Sequence, residues 1–179
     1  MAMMQSLETI DRGLNKTVAA IVGLLLALAA TAVFLQIVVR FVLPPLGFVV
    51  SAPWTEESAR FLMTWAVFLG SAVLCRRAGL IAVTSLPSAL PPAFGRLLLI
   101  ASSLCTAFFF GVLAVVGWKW ALNSLGESAT VLRIPMAVVY ASMPVGSVLA
   151  IFNLALFINS LVRAGEGEVS RILAPSAAD

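Results

Sequence analysis

The sequence predicts an all-α integral membrane protein with four transmembrane helices, on three observations. Hydrophobic residues make up 61% of its 179 residues, against roughly 45–50% in an average soluble domain, and charged residues 11% against roughly 25%. The mean hydropathy is +1.08. Four charge-poor runs bounded by charged residues hold most of this apolar content. With 11 basic and 8 acidic side chains the chain cannot coat a soluble globule, which excludes a water-soluble enzyme and a disordered chain.

The first run, Thr17 to Val39, has 23 residues without a charge between Lys16 and Arg40. At ~1.5 Å per residue it reaches roughly 34 Å, enough for a hydrocarbon layer of about 30 Å. It exceeds the ~7–15-residue apolar region of a signal peptide, so it reads as a retained helix over 17–39. The second run, Phe61 to Cys75, is only 15 residues. The helix is therefore expected to begin at Thr55 or Glu56, after Pro53-Trp54, giving a span over 56–75. Pro near a helix start and acids in its first turn agree with that boundary. The third span, 97–118, is uncharged and leaves through Trp118-Lys119-Trp120, an aromatic and lysine anchor at the membrane interface. The fourth lies within Ile134 to Val162 and is placed at 138–161, with Pro135 at its start. Pro144 is expected to kink it or to end an initial turn. Residues 1–164 form one domain without internal repeats, and 165–179 form a short polar tail.

Basic residues give the orientation. The N-terminus (Arg12, Lys16), the second connection (Arg76, Arg77, Arg96) and the C-terminus (Arg163, Arg171) hold 7; the first and third connections (Arg40, Arg60, Lys119, Arg133) hold 4. The positive-inside rule then puts both termini in the cytoplasm and exports two loops. The first connection, Phe41 to Trp54, contains the helix-breaking Pro44-Pro45-Leu46-Gly47 among apolar residues, and is expected to lie in the outer interface. The second, Ala78 to Gly95, reads as a surface segment with a short helix lying along the inner side.

Chemistry is narrowed by what is missing. There is no histidine, which excludes a histidine-based triad, metal site or proton relay. Cys75 and Cys105 lie 30 residues apart and form no redox or metal motif. The residues call for no cofactor and no metal, and the dispersed basic residues form no nucleic-acid patch.

The polar residues of the second span gather on one face. Counted from Glu56, the residues Glu57, Arg60, Thr64 and Ser71 fall within about 100° of arc, with Phe61, Trp65 and Leu69 on the opposite, lipid-suited half. Glu56 and Arg60 form an acid-to-base pair at i,i+4. Three readings compete: a solvated helix start, a docking face for another protein helix, and an ion or substrate site. Against the last, the acids sit at the edge of the span rather than at the midplane, where coupling sites are built. Ser142, Gly146, Ala150 and Asn153 in the fourth span, Ala66 and Gly70 in the second, and Ala107 and Gly111 in the third are spaced for close helix contact. Good packing surfaces without catalytic or transport machinery point to a subunit.

Two stretches carry a resemblance. Trp54-Thr55-Glu56-Glu57-Ser58-Ala59-Arg60, followed by Trp65, Phe68-Leu69-Gly70 and Arg76-Arg77-Ala78-Gly79, is similar to the small permease subunit of tripartite ATP-independent periplasmic (TRAP) transporters, the DctQ-like family. Gly126-Glu127-Ser128 and Arg133-Ile134-Pro135, with Tyr140, Pro144 and Gly146, resemble the same family's approach to its last helix. Family members often carry a histidine shortly after the Arg-x-Gly, where this chain has Leu80-Ile81, so no role of that histidine carries over.

The resemblance implies a bacterial or archaeal inner-membrane scaffold subunit of a sodium-driven importer of organic anions such as carboxylates or sulfonates. Its partners are a large multi-span elevator subunit and a periplasmic substrate-binding protein. On this reading Trp54, Glu56, Glu57, Arg60, Thr64, Trp65, Gly70 and Ser71 form a subunit interface or interfacial anchor, and Pro135, Tyr140, Gly146 and Asn153 pack the helices. Arg40, Lys119, Glu127 and Arg133 lie in loops that help dock the binding protein. The protein is not expected to be an enzyme. The rival classes are a self-sufficient small oligomeric transporter, which should carry a membrane-embedded carboxylate absent from 17–39, and a structural anchor of an unrelated complex.

Overall fold

The computed structural model describes residues 2–48, 50–76 and 92–163, among which the chain is helical with no strand. Helix α1 (Ala2–Ile37) runs into a π-helical turn, Val38–Val42, and a 3-10 turn, Pro44–Leu46. Helix α2 spans Pro53–Arg76, α3 Pro92–Asn123, α4 Met136–Tyr140 and α5 Ser142–Arg163. Four segments are long and apolar enough to cross a membrane: Gly13–Val42, Pro53–Arg76, Ala93–Asn123 and Met136–Arg163. Most of the second connection and the polar tail lie outside the described residues.

The helices extend past the apolar runs because a helix does not stop where its charges begin. Helix α2 starts with Pro53, whose missing N–H needs no partner in a first turn, and has Glu56 in that turn. The helical run that begins with α1 and passes through the π-helical turn ends at the two prolines, and Gly47 closes the 3-10 turn at φ 86°, a left-handed conformation that glycine adopts without a Cβ penalty. The fourth span is interrupted rather than smoothly kinked. Pro144 has no N–H for the Tyr140 carbonyl, so the helix breaks at Ala141 and restarts with proline in its first turn.

The packing order differs from the chain order. Helix α1 packs on α2, α2 on α5, and α5 on α3, so the spans stand in the order first, second, fourth, third. Burial agrees: 6% and 17% of the most apolar window is buried in the first and third spans, against 28% and 39% in the second and fourth. The two end helices thus leave most of their surface to lipid or to other chains.

Small residues make the central seam. Thr55, Ala59, Ala66, Leu69, Ala72 and Cys75 are buried on α2, and Ser142, Gly146, Ala150 and Asn153 on α5. The expected lipid-facing half of α2 therefore holds only in part. Leu69 is buried, because α2 packs against helices on more than one side. At Gly146 a Cβ would lie 2.6 Å from Phe68 Cβ and 2.8 Å from the Phe68 backbone. Below this crossing, the Asn153 Nδ2 donates to the Ala72 carbonyl at 2.7 Å and to Asn15 Oδ1 at 2.9 Å, while Asn15 Nδ2 donates back to Asn153 Oδ1 at 3.1 Å. One amide thereby joins the first, second and fourth spans. Ala72, Cys75, Phe110, Ala150 and Leu154 form the apolar core that brings in α3.

Two glycines test this seam. Gly117 also has no room for a Cβ, but its obstacle is the flexible Met143 side chain at 2.8 Å, not backbone. Gly146→Ala is expected to destabilise the purified protein by about 1–3 kcal/mol. Gly117→Ala should cost clearly less, as measured by thermal unfolding of both variants in detergent.

Candidate functional site

The site is built where α1 and α3 end and α2 and α4 begin. Helix α2 projects two consecutive acids there, and consecutive helical residues point about 100° apart, so they meet different partners. Glu57 faces the connection between α3 and α4. Its Oε2 accepts the backbone N–H of Leu132 at 2.7 Å and of Val131 at 3.1 Å, and its Oε1 accepts the Thr130 hydroxyl at 3.1 Å. Hydrogen bonds to an ionised carboxylate are roughly twice as strong as neutral ones, and the first turns of a helix favour a negative charge.

The segment that Glu57 holds is a miniature hairpin. Ser128 and Pro135 pair as an antiparallel bridge, the Ala129 N–H donates to the Ile134 carbonyl at 2.9 Å, and the Met136 N–H donates to the Glu127 carbonyl at 2.9 Å. The turn closes through the Arg133 N–H on the Ala129 carbonyl at 3.2 Å, with Arg133 at φ 54°. Arg133 is the one non-glycine residue at positive φ among the described residues. Buried Ala129 seats the hairpin against the helices.

Glu56 has looser partners. Its Oε1 accepts from Arg60 Nη2 at 3.1 Å, and its Oε2 from Gln36 Nε2 of α1 at 3.3 Å. Both members of the Glu56–Arg60 pair are more than half exposed, and exposed ion pairs contribute little to stability. Two clefts flank the acids. One of about 400 Å³ is lined by Glu57, Arg60, Phe61, Glu127, Thr130 and Met136 among others. A second, about 210 Å³, lies between Pro53, Glu56, Arg60 and Val131.

The expected residues divide accordingly. Glu57, Arg60, Glu127 and the hairpin bearing Arg133 come together around the larger cleft. Thr64 and Ser71 instead donate to carbonyls of their own helix, Arg60 and Val67, so the polar face is mostly back-bonded. Trp54 is exposed and Trp65 half-buried. Gly70 passes Val22 of α1, with 3.6 Å between its Cβ position and Val22 Cγ1. Pro135 precedes α4, and Tyr140 meets the edge of Trp120 at 6.0 Å between ring centres. Arg40 lies over the Phe41 ring at 5.8 Å, and Lys119 is exposed; neither lines either of the two clefts.

Gln36, Thr130 and Asn15 are the contributors that sequence reasoning passed over. Each is a lone uncharged polar residue whose partner is 20 to 138 positions away, and no local pattern marks such a pair. Among the described residues no three His, Cys, Asp or Glu side chains are grouped to hold a metal. The acids are engaged in holding polypeptide, so the arrangement is suited to fixing a loop.

The family model described as tripartite ATP-independent periplasmic transporters, DctQ component, matches residues 29–164. No curated protein matches the chain.

The two acids should separate on substitution. Glu57→Ala releases bonds between two chain segments, whereas Glu56→Ala releases one exposed intrahelical pair and one amide. Thermal unfolding in detergent should therefore fall further for Glu57→Ala than for Glu56→Ala.

Proposed function

The chain belongs to the DctQ component family of tripartite ATP-independent periplasmic transporters and is the small membrane subunit of such a transporter, which we propose it serves as a fixed scaffold. One face of the row of helices lies against a large multi-span permease subunit that carries the substrate path. The end bearing Glu57 and the hairpin faces the periplasm and helps dock a substrate-binding protein. The transporter imports an organic anion, a carboxylate or sulfonate, driven by sodium. Both termini lie in the cytoplasm of a bacterial or archaeal cell, in keeping with the excess of basic residues on that side.

The row of helices carries this reading. A helix row that buries so little of its end members presents broad apolar faces: Val67 and Leu74 on α2, Phe108, Val112 and Val115 on α3, and Val148 and Phe152 on α5 are all exposed. The described charged side chains stand toward the ends of the four apolar segments or outside them. The buried hydroxyls of Ser103 and Ser142 donate to carbonyls of their own chain, although that of Ser147 has no partner among the described residues. Polar groups spent in this way support a wall better than a path.

Co-expression with the large subunit tests the proposal. A tagged copy of this chain should capture the large subunit, and both should be needed, with the binding protein, for uptake into proteoliposomes. Uptake by this chain alone would overturn the scaffold reading. So would full uptake by the large subunit and binding protein without it.

A further inference from the structure

We propose that Glu57 is a positioning residue that locks the Glu127–Met136 hairpin in the conformation that presents the Arg133 guanidinium to an acidic side chain of the periplasmic binding protein. The inference rests on the docking role proposed above for this end of the molecule.

Three observations converge on it. Arg133 occupies the left-handed region, where residues other than Gly, Asn and Asp seldom sit. Such backbone strain persists only where the surroundings over-determine it, and it gathers at functional positions. Here the determinants are on both sides of the turn. The hairpin's own bonds close it from within, and the three bonds to Glu57 hold Thr130, Val131 and Leu132, the residues just before Arg133.

Charge supplies the partner. Among the basic residues at this end, Arg60 pairs with Glu56, Arg40 lies over Phe41, and exposed Lys119 stands on α3 rather than on the hairpin. Arg133 is exposed at the tip of the hairpin and makes no ion pair among the described residues. An exposed guanidinium on a rigid turn suits a carboxylate on a rim, which acts mainly on encounter and on salt dependence. A neutral turn of the same shape would serve packing alone, and a charged residue on a loose loop would lose the benefit of pre-organisation.

The experiment uses the assembled two-subunit membrane complex with its binding protein and has two independent readouts. Hydrogen exchange of the Val131 and Leu132 amides, measured without binding protein, reports the lock. The apparent KM for substrate-loaded binding protein in uptake, at low and high salt, reports presentation. Glu57→Ala should speed exchange roughly tenfold or more by removing the carboxylate. Glu57→Gln should fall between, because its amide oxygen can accept both N–H groups while its nitrogen donates to the Thr130 hydroxyl. Arg133→Gly keeps the turn, since glycine favours its φ, and removes the charge. It should leave exchange near the native rate, raise the apparent KM at least about threefold at low salt, and flatten its salt dependence. Arg133→Glu should raise the KM further.

Unchanged exchange in Glu57→Ala would overturn the lock. Unchanged KM in Arg133→Glu would overturn the presentation. Loss of large-subunit capture in these variants would also overturn the proposal, by making the hairpin an assembly contact. Capture retained with an unchanged KM would leave the scaffold role standing, so the two failures are distinct.

Discussion

Where α2 and α5 cross, Gly146 brings one backbone onto another, and the rest of the molecule is arranged around that approach. In lipid, apolar burial drives no helix association, so close packing and interhelical hydrogen bonds must supply it. The crossing supplies both. Gly146 allows the Phe68 backbone to lie where a Cβ would otherwise stand, and the same approach brings the Ala72 carbonyl within 2.7 Å of Asn153. That carbonyl already serves its own helix, so the amide takes a second lone pair and leaves the α2 ladder intact. Asn15 completes the amide's partners and draws α1 onto the same point.

This seam explains why the spans stand in a row. A closed bundle would need each helix to present two packing faces. Only α2 and α5 do, and their buried positions combine small residues with Leu69 on α2 and with Leu154, Phe157 and Leu161 on α5. Helix α1 has Ala29 as a buried position amid exposed Leu24, Leu28 and Phe34, and α3 similarly exposes Phe108 and Phe109. Large side chains on the end helices leave nothing for a fourth contact between spans to interlock with inside the chain. They provide area for contacts outside it.

Much of this was legible before the structure, and the missing part has a physical pattern. The four spans followed from charge-free runs, because every charge excluded from hydrocarbon marks a boundary. The α5 ladder of Ser142, Gly146, Ala150 and Asn153 was visible as periodicity, and all four are buried. The partner of that ladder was not visible. Which helix meets a small-residue face depends on which other face is complementary, and Ala66–Gly70 and Ala107–Gly111 looked equally suitable. Leu69 shows the consequence. A wheel centred on the acids of α2 put it toward lipid, yet it is buried within the chain. The break at Ala141 was foreseen as one of two outcomes for Pro144.

The acids of α2 carry the same lesson to the candidate site. Glu56 and Glu57 are indistinguishable as letters, both at the start of a span and both close to Arg60. A rotation of about 100° between them decides that one meets Arg60 and Gln36 while the other meets three donors from a segment more than 70 residues away. The i,i+4 rule found the weaker partnership because that rule is local. The stronger one required the hairpin, whose turn in turn required Arg133 to accept a backbone conformation that its residue type disfavours. The connection between α3 and α4 would otherwise be free to sample many shapes. Tying it to the start of α2 makes its geometry a property of the α2–α5 seam, so the hairpin inherits the rigidity of the helix packing.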